Sequence, residues 1–210
     1  MKTFVAFVAI GSAFATVEEF LTIVVLRRDV PSYLFTLIAL FPAYLSFVYL
    51  SGRIVDRIVC RAPTRDLAQF LAYGSLGLLL EWSLMGLSPW SNPAANPFLM
   101  LAFQLGMFAF WGTVATAPRA FLDRRGPGRD ARRRILRFSI PYFAAVYVVA
   151  LSVPEHLRFA SIIPLVIVGY WVVSGLLLGW VAELYSQDAG AWPGDAGQVT
   201  SRPGTASDCD

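Results

Sequence analysis

The sequence predicts an all-α polytopic membrane protein, a bundle of six transmembrane helices with both termini cytoplasmic. Three observations lead there. Hydrophobic residues make up 57% of the chain and charged residues only 15%, against about 25% charged in soluble domains, and the mean hydropathy is +0.60. Apolar runs recur at lengths near the ~20 residues that cross a ~30 Å hydrocarbon core as helix, the conformation that satisfies its own backbone there. The arginines gather in two connections between those runs, which is the signature of membrane orientation. Nucleic acid is therefore not an expected partner, despite a formal net charge of +3.

The first run extends from Thr3 to Leu26 and carries two adjacent carboxylates, Glu18 and Glu19, deep within it. Its start also mimics a secretory leader, with Ala13-Phe-Ala15 as a cleavage-type triplet. Apolar residues resume after Glu19, so the whole run suits a spanning helix. Arg27-Arg-Asp-Val-Pro31 is a turn, and a second span follows from about Pro31 to Leu50, with Pro42 as an expected kink. Next comes a connection carrying Arg53, Arg57, Arg61 and Arg65 at successive i,i+4 positions, a basic stripe suited to lipid headgroups.

The third span, Leu67 to about Ser88, holds Glu81 and ends in an uncharged loop with Trp90. The fourth runs from about Pro97 to Ala117 with Gln104 and Trp111 in its body, and eight arginines lie between Pro118 and Arg137. The fifth is expected from about Ile135 to Val153, broken near its start by Pro141, and the sixth from about Phe159 to Tyr185, with Pro164 inside it. Residues 1–186 thus form one membrane domain. Residues 187–210, rich in Gly, Pro, Ser and Asp, are expected to be a disordered polar tail.

Twelve of the sixteen arginines fall in the second-to-third and fourth-to-fifth connections. Positive-inside orientation then puts both termini in the cytoplasm, with the cell (inner) membrane as the expected location. With that orientation, a rise of ~1.5 Å per residue puts Glu18 roughly 22 Å and Glu81 roughly 21 Å into their helices. Gln104 on the fourth span and Thr36 on the second fall at nearly the same height, in the outer half of the bilayer.

Small residues flank both acids one and two turns away: Gly77 and Gly74 before Glu81, Ala15 and Gly11 before Glu18. They predict that the carboxylates face neighbouring helices and not lipid. Ionisable groups held there mark functional sites by default. Together they cannot all stay charged without a cation, so the group is read as a site for a proton, a cation or a cationic solute. A pin between helices and a salt bridge from Arg27 to Glu19 are the structural alternatives.

Trp111, Tyr147, Tyr170 and Trp171 lie deep enough to line a pocket and to stabilise positive charge on their π faces. Trp82, Trp90, Trp180 and Trp192 suit interfacial belts. Asp29, Asp56, Asp66, Asp123, Asp130 and Glu155 fall in connections and read as solvated. Glu183, at the end of its span, receives no role, and His156 reads as exposed.

One histidine and two separated cysteines, Cys60 and Cys209, supply no metal-ligand spacing and no disulfide framework. No metal or cofactor is expected. Phosphate-loop, dinucleotide-binding and nucleophile-elbow motifs are absent. A weak echo links Gly77-Leu-Leu-Leu-Glu-Trp82 to Gly175-Leu-Leu-Leu-Gly-Trp180, the offset expected of an inverted repeat.

The leading functional expectation is a transport or channel-like protein, with membrane lipids as partners and a homo-oligomer as one arrangement open to it. An intramembrane enzyme using Glu81, Glu18 or Glu19 as general acid on an isoprenoid or other lipid is the alternative. A structural or assembly subunit is the third class.

Overall fold

The computed structural model describes residues 2–58, 62–84, 96–124 and 126–190. Met1, Cys60, the loop with Trp90, Trp192 and Cys209, and most of the predicted tail lie outside these residues. Among the described residues the regular structure is helical throughout, and five helices are long and apolar enough to cross a membrane. They cover Lys2–Leu26, Val30–Ile58, Pro97–Leu122, Gly126–Ser152 and Glu155–Ser186.

The first of these is α1, Lys2–Glu19, continued by a π-helical segment, Phe20–Leu26. Widening starts directly after the carboxylates. The Thr22 hydroxyl donates to the Glu18 carbonyl at 3.1 Å, supplementing a backbone ladder that π winding has loosened. The segment closes with two nested backbone bonds, Asp29 N–H to Ile23 O and Arg28 N–H to Val24 O, each one residue wider than in a Schellman motif. Arg28, just past the end of the segment, takes the left-handed conformation, with φ 58°.

Asp29 then caps α2, Val30–Phe35, its carboxylate accepting from the Ser32 N–H at 3.0 Å and from the Ser32 hydroxyl. Pro31 sits in the first turn, where a missing N–H costs nothing.

A second π-helical segment, Thr36–Leu40, leads into α3, Phe41–Ile58. Its cause is Pro42. Without an N–H, Pro42 leaves the Ile38 carbonyl without its α-helical partner, and the Phe41 N–H bonds back to Thr36. The span therefore widens where a kink was expected, and it reaches well beyond Leu50.

Helix α4, Ala62–Leu84, lies along α5, Pro97–Leu122. Asn96 caps α5 by accepting from Phe98 and Leu99 N–H, with Pro97 at the start. From Ala109 to Pro118 every residue of α5 is buried, so this is the central helix, packed on α1, α4, α6 and α7. Helix α6 is Gly126–Ser152, and α7 is Glu155–Gly190.

Three expectations need correction. Helix α6 starts nine residues before the predicted Ile135 and runs through Pro141 without a break. Most of the arginine-rich connection is accordingly helix, with Arg119 in α5 and Arg129 to Arg137 in α6. Asp56 belongs to α3 and Asp66 to α4, so neither lies in a loop.

The core holds Phe41, Phe110, Tyr170, Trp180, Leu45 and Val114, each 1% exposed or less. The outer faces are apolar too, with Ile38 71%, Leu151 72% and Phe159 67% exposed. An apolar exterior around an apolar core fits a multi-pass protein surrounded by lipid.

Candidate functional site

Glu18, Glu19 and Glu81 line one cavity of about 280 Å³. Its floor carries the three carboxylates with Thr22. Its walls are Ile23, Leu26, Phe103, Met107 and Ile163, and its mouth holds Arg27, Glu155, Arg158 and Phe159. Arg27 comes from the turn after the π-helical segment, and Glu155, Arg158 and Phe159 from the start of α7, so this part of the lining lies at the end of the bundle away from the arginine cluster. Each carboxylate side chain belongs to a residue that is only 7% exposed.

The small residues position these acids. A Cβ on Gly77 would meet Trp111 Cγ at 2.0 Å, and one on Gly74 would meet the Phe108 ring at 2.8 Å. On α1, a Cβ on Gly11 would reach Leu45 at 2.6 Å and the Val114 carbonyl at 3.1 Å. Helices α4 and α1 thus both press closely on α5, and their acids are carried inward with them. Glu81 then accepts a hydrogen bond from Trp111 Nε1 at 3.3 Å.

Arg27 is exposed at the mouth and, among the described residues, has no ion pair within 4.0 Å. A salt bridge to Glu19 is therefore not formed. It remains within electrostatic reach of all three carboxylates. Arg28 pairs instead with Glu155 at 2.8 Å, both side chains well exposed, an arrangement worth at most ~1 kcal/mol.

The other predicted site residues divide. Tyr170 is buried, borders a small crevice of about 20 Å³ next to Glu18, and donates to the Phe14 carbonyl at 2.6 Å. Tyr147 donates to the Val17 carbonyl at 3.1 Å and packs on Phe20, supporting the carboxylate turn from behind. Trp111 is buried between Phe41, Tyr44 and Phe110 and reaches the site through Glu81. Gln104 accepts from Trp82 Nε1 at 2.7 Å and ties α4 to α5.

Thr36 is buried and bonds its own helix at the Ser32 carbonyl. Neither Gln104 nor Thr36 lines the carboxylate cavity. Trp171 is 41% exposed and lines neither of the two larger cavities; it lies about 100° around α7 from the inward-facing Tyr170.

A second polar group had read as solvated loop. Arg119 Nη2 donates to both oxygens of Asp56, at 2.8 and 2.9 Å, and Nη1 donates to Asp66 at 3.0 Å. Gln69 bonds Asp56 at 3.1 Å and the Gly52 carbonyl at 3.3 Å, and Trp180 Nε1 donates to Asp123 at 3.4 Å. These residues border a separate cavity of about 320 Å³ at the arginine-rich end. The available signal was Asp56 and Asp66 lying within apolar runs extended at helical period, with Pro118-Arg119 continuing a third.

Between the two cavities α5 runs from Met107 to Arg119, about 18 Å of helix, and this stretch is filled by Phe110, Trp111, Val114 and Ala115 with Tyr170, Val173 and Leu177 of α7, all buried. Glu183, which had been assigned no role, pairs with Arg134 at 2.7 Å across α6 and α7. The two echoing segments differ in surroundings: Gly77 is pressed on Trp111, whereas a Cβ on Gly175 would meet nothing within 4 Å.

Fold and site together define an all-helical, multi-pass type of protein with a cavity floored by carboxylates. No family model, curated protein or solved structure matches the chain.

Proposed function

We infer that this is a six-span protein of the cell (inner) membrane, both termini cytoplasmic, that binds a proton, a small cation or a cationic solute at Glu18, Glu19 and Glu81 as part of a transport cycle. The observation that carries this reading is the cavity itself. Three carboxylates from two helices border one space of about 280 Å³, open at one end and backed by a packed aromatic layer at the other. A site accessible from one side only is what one state of an alternating-access cycle requires. The π-helical segment directly after Glu19 gives the carboxylate turn a backbone that is easily rewound.

The sixth span is α4, whose 23 residues reach about 34 Å at 1.5 Å per residue, enough to cross with the others. Cytoplasmic termini rest on the arginine asymmetry.

In reconstituted vesicles, the wild-type protein is expected to pass protons or a monovalent cation down an imposed gradient, and Glu81→Gln and Glu18→Gln are expected to abolish the flux. Flux that is unaltered in both variants, with both shown to be folded by gel filtration, excludes the role.

A second reading is favoured by the crevice beside Glu18, lined by Phe103, Met107, Phe110, Ile163, Val166 and Tyr170. Phe103, Met107 and Ile163 line this crevice and the main cavity alike, so an apolar lipid chain entering the 280 Å³ cavity would lie against a carboxylic acid able to protonate it. Lipid extracted from the purified protein and found altered after incubation with wild type, but not with Glu81→Gln, would favour this reading. Loss of thermal stability alone would favour an assembly subunit.

A further inference from the structure

The second cavity, of about 320 Å³ at the arginine-rich end, is a polar space that the carboxylate site leaves unused. It lies where α1 and α4 begin and α3 and α5 end, and it is bordered by Arg53, Arg65, Arg119, Asp56, Asp66 and Gln69, with Phe7, Val48 and Leu122 along its apolar side. Its hydrogen-bonding capacity is lopsided.

The acceptors are engaged. Both oxygens of Asp56 take Arg119, and Oδ1 takes Gln69 as well; Asp66 takes Arg119, and Asp123 takes Trp180. The donors are not. Arg65 has a side chain only 26% exposed, yet among the described residues it donates no hydrogen bond. Its Nε is buried and lies 3.2 Å from Asp56 Oδ1, close enough for attraction but out of line for a hydrogen bond. Arg53 uses one N–H, toward the Tyr49 hydroxyl at 2.9 Å, and its guanidinium lies 4.9 Å above that ring.

A guanidinium carries five N–H donors and no acceptor. Two of them at one cavity, with the nearby carboxylates already satisfied, call for a ligand that only accepts and does so with several oxygens. Phosphate meets this need, and charge-assisted bonds from arginine to phosphate are about twice as strong as neutral ones. The two helices that begin here, α1 and α4, carry no acidic residue in their first turns, so their positive dipole ends add to the attraction.

We propose that this cavity binds a phosphate group through Arg53 and Arg65, either the headgroup phosphate of an anionic membrane lipid or free phosphate. The apolar side of the cavity offers a lipid's glycerol and upper acyl chain a place to rest. Membrane-embedded basic pockets of this kind hold anionic headgroups at the bilayer boundary.

The test uses the full chain in nanodiscs of phosphatidylcholine, with or without phosphatidylglycerol. Wild type, Arg53→Gln, Arg65→Gln and Arg57→Gln are compared. Arg57 is an exposed neighbour on the same basic stripe that does not border the cavity. Lipid retained on ejection from the discs is read by native mass spectrometry, and thermal unfolding is read with and without inorganic phosphate.

Wild type and Arg57→Gln are expected to retain phosphatidylglycerol over phosphatidylcholine, with about tenfold less retained when Arg53 or Arg65 is changed, the loss expected of a bond between charged groups. A rise in the unfolding midpoint with phosphate in pure phosphatidylcholine discs, absent from Arg65→Gln, would identify free phosphate as the ligand of the same site. Should Arg65→Gln fail to fold, exposed Arg53 carries the comparison. Equal lipid retention by wild type and Arg53→Gln, with no response to phosphate, would overturn the site. None of these outcomes depends on flux through the carboxylate cavity.

Discussion

Trp111 Nε1 donates to Glu81 Oε1 at 3.3 Å while the same indole covers Gly77, one turn earlier on α4, so closely that an added Cβ would lie 2.0 Å from its Cγ. One side chain of α5 therefore sets both the approach of α4 and the orientation of its carboxylate. Replacing Trp111 by Phe keeps most of the apolar contact and removes the donor. Expected is a loss of about 1–3 kcal/mol in stability, the cost of leaving a buried acceptor without its bond, measured by reversible unfolding in detergent.

Gly77→Ala tests the packing half of the same relationship. The new methyl cannot fit without moving an indole ring enclosed by Phe41, Tyr44 and Phe110. Overpacking of this kind costs typically 1–3 kcal/mol, and the displaced indole is expected to weaken the bond to Glu81 as well. Gly175→Ala serves as the comparison, because nothing lies within 4 Å of its Cβ position; there alanine is expected to be neutral or stabilising by up to ~1 kcal/mol through better helix propensity. Equal effects at the two positions would contradict the packing described.

These two glycines also mark how far the sequence could be read. Apolar run length revealed the helices, since a span must be about 20 residues whatever its neighbours are. Gly74, Gly77, Gly11 and Ala15 pointed the acids inward, because a small residue in a membrane helix has few uses other than close approach. Helix ends were less legible. Arg129 to Arg137 read as loop in the sequence because charge marks the edge of the hydrocarbon core, whereas the helix itself is free to continue into a polar layer. The pairing of Arg119 with Asp56 and Asp66 depends on three helix ends meeting in space, and no spacing along one chain encodes that. Tyr170 is buried and the next residue, Trp171, about 100° further round the helix, is exposed, a distinction that needed the rotation of α7.

Arg119 joins α3, α4 and α5 through Asp56 and Asp66, and the three side chains are 21%, 31% and 4% exposed. Arg119→Met would leave two carboxylates facing each other with their shared cation gone. Removing one partner of a buried pair costs about 3–5 kcal/mol, most of it the uncompensated charge, and partial exposure of Asp56 places the expectation at the lower end. Adding Asp66→Asn to Arg119→Met should recover part of the loss. A double-mutant cycle by thermal unfolding measures it, and additive effects would mean that the two residues do not interact.

The cap at Asp29 gives a pH dependence whose sign is fixed. The Ser32 hydroxyl, and then the Ser32 N–H, hold the exposed Asp29 carboxyl below its ordinary value of 3.8. A carboxyl whose folded pKa is depressed stabilises the fold above its unfolded value, and the contribution is lost as pH falls through the folded one. Protection of the Ser32 amide against hydrogen exchange, relative to Asp29→Ala, should therefore be constant at neutral pH, fall as pH approaches the ordinary value of 3.8, and vanish once pH is below the depressed folded value. A difference that persists at lower pH would show that the carboxylate is not what closes the turn.

The carboxylates themselves separate function from architecture by the direction in which stability moves. If Glu18, Glu19 and Glu81 merely pinned helices, Gln at any of them would remove a favourable contact and lower the unfolding midpoint. If they are held for a proton or cation, the empty site gathers three acids in one low-dielectric cavity at an energetic cost, and neutralising one relieves it. Sites of this kind gain stability, commonly about 0.5–2 kcal/mol, when a functional group is replaced. Glu18→Gln is the sharpest case, since Glu18 borders both the main cavity and the apolar crevice and has Glu19 beside it and Glu81 within electrostatic reach. Its midpoint is expected to rise while flux in vesicles is lost. A fall in stability with flux intact would assign the carboxylates to the architecture of the bundle.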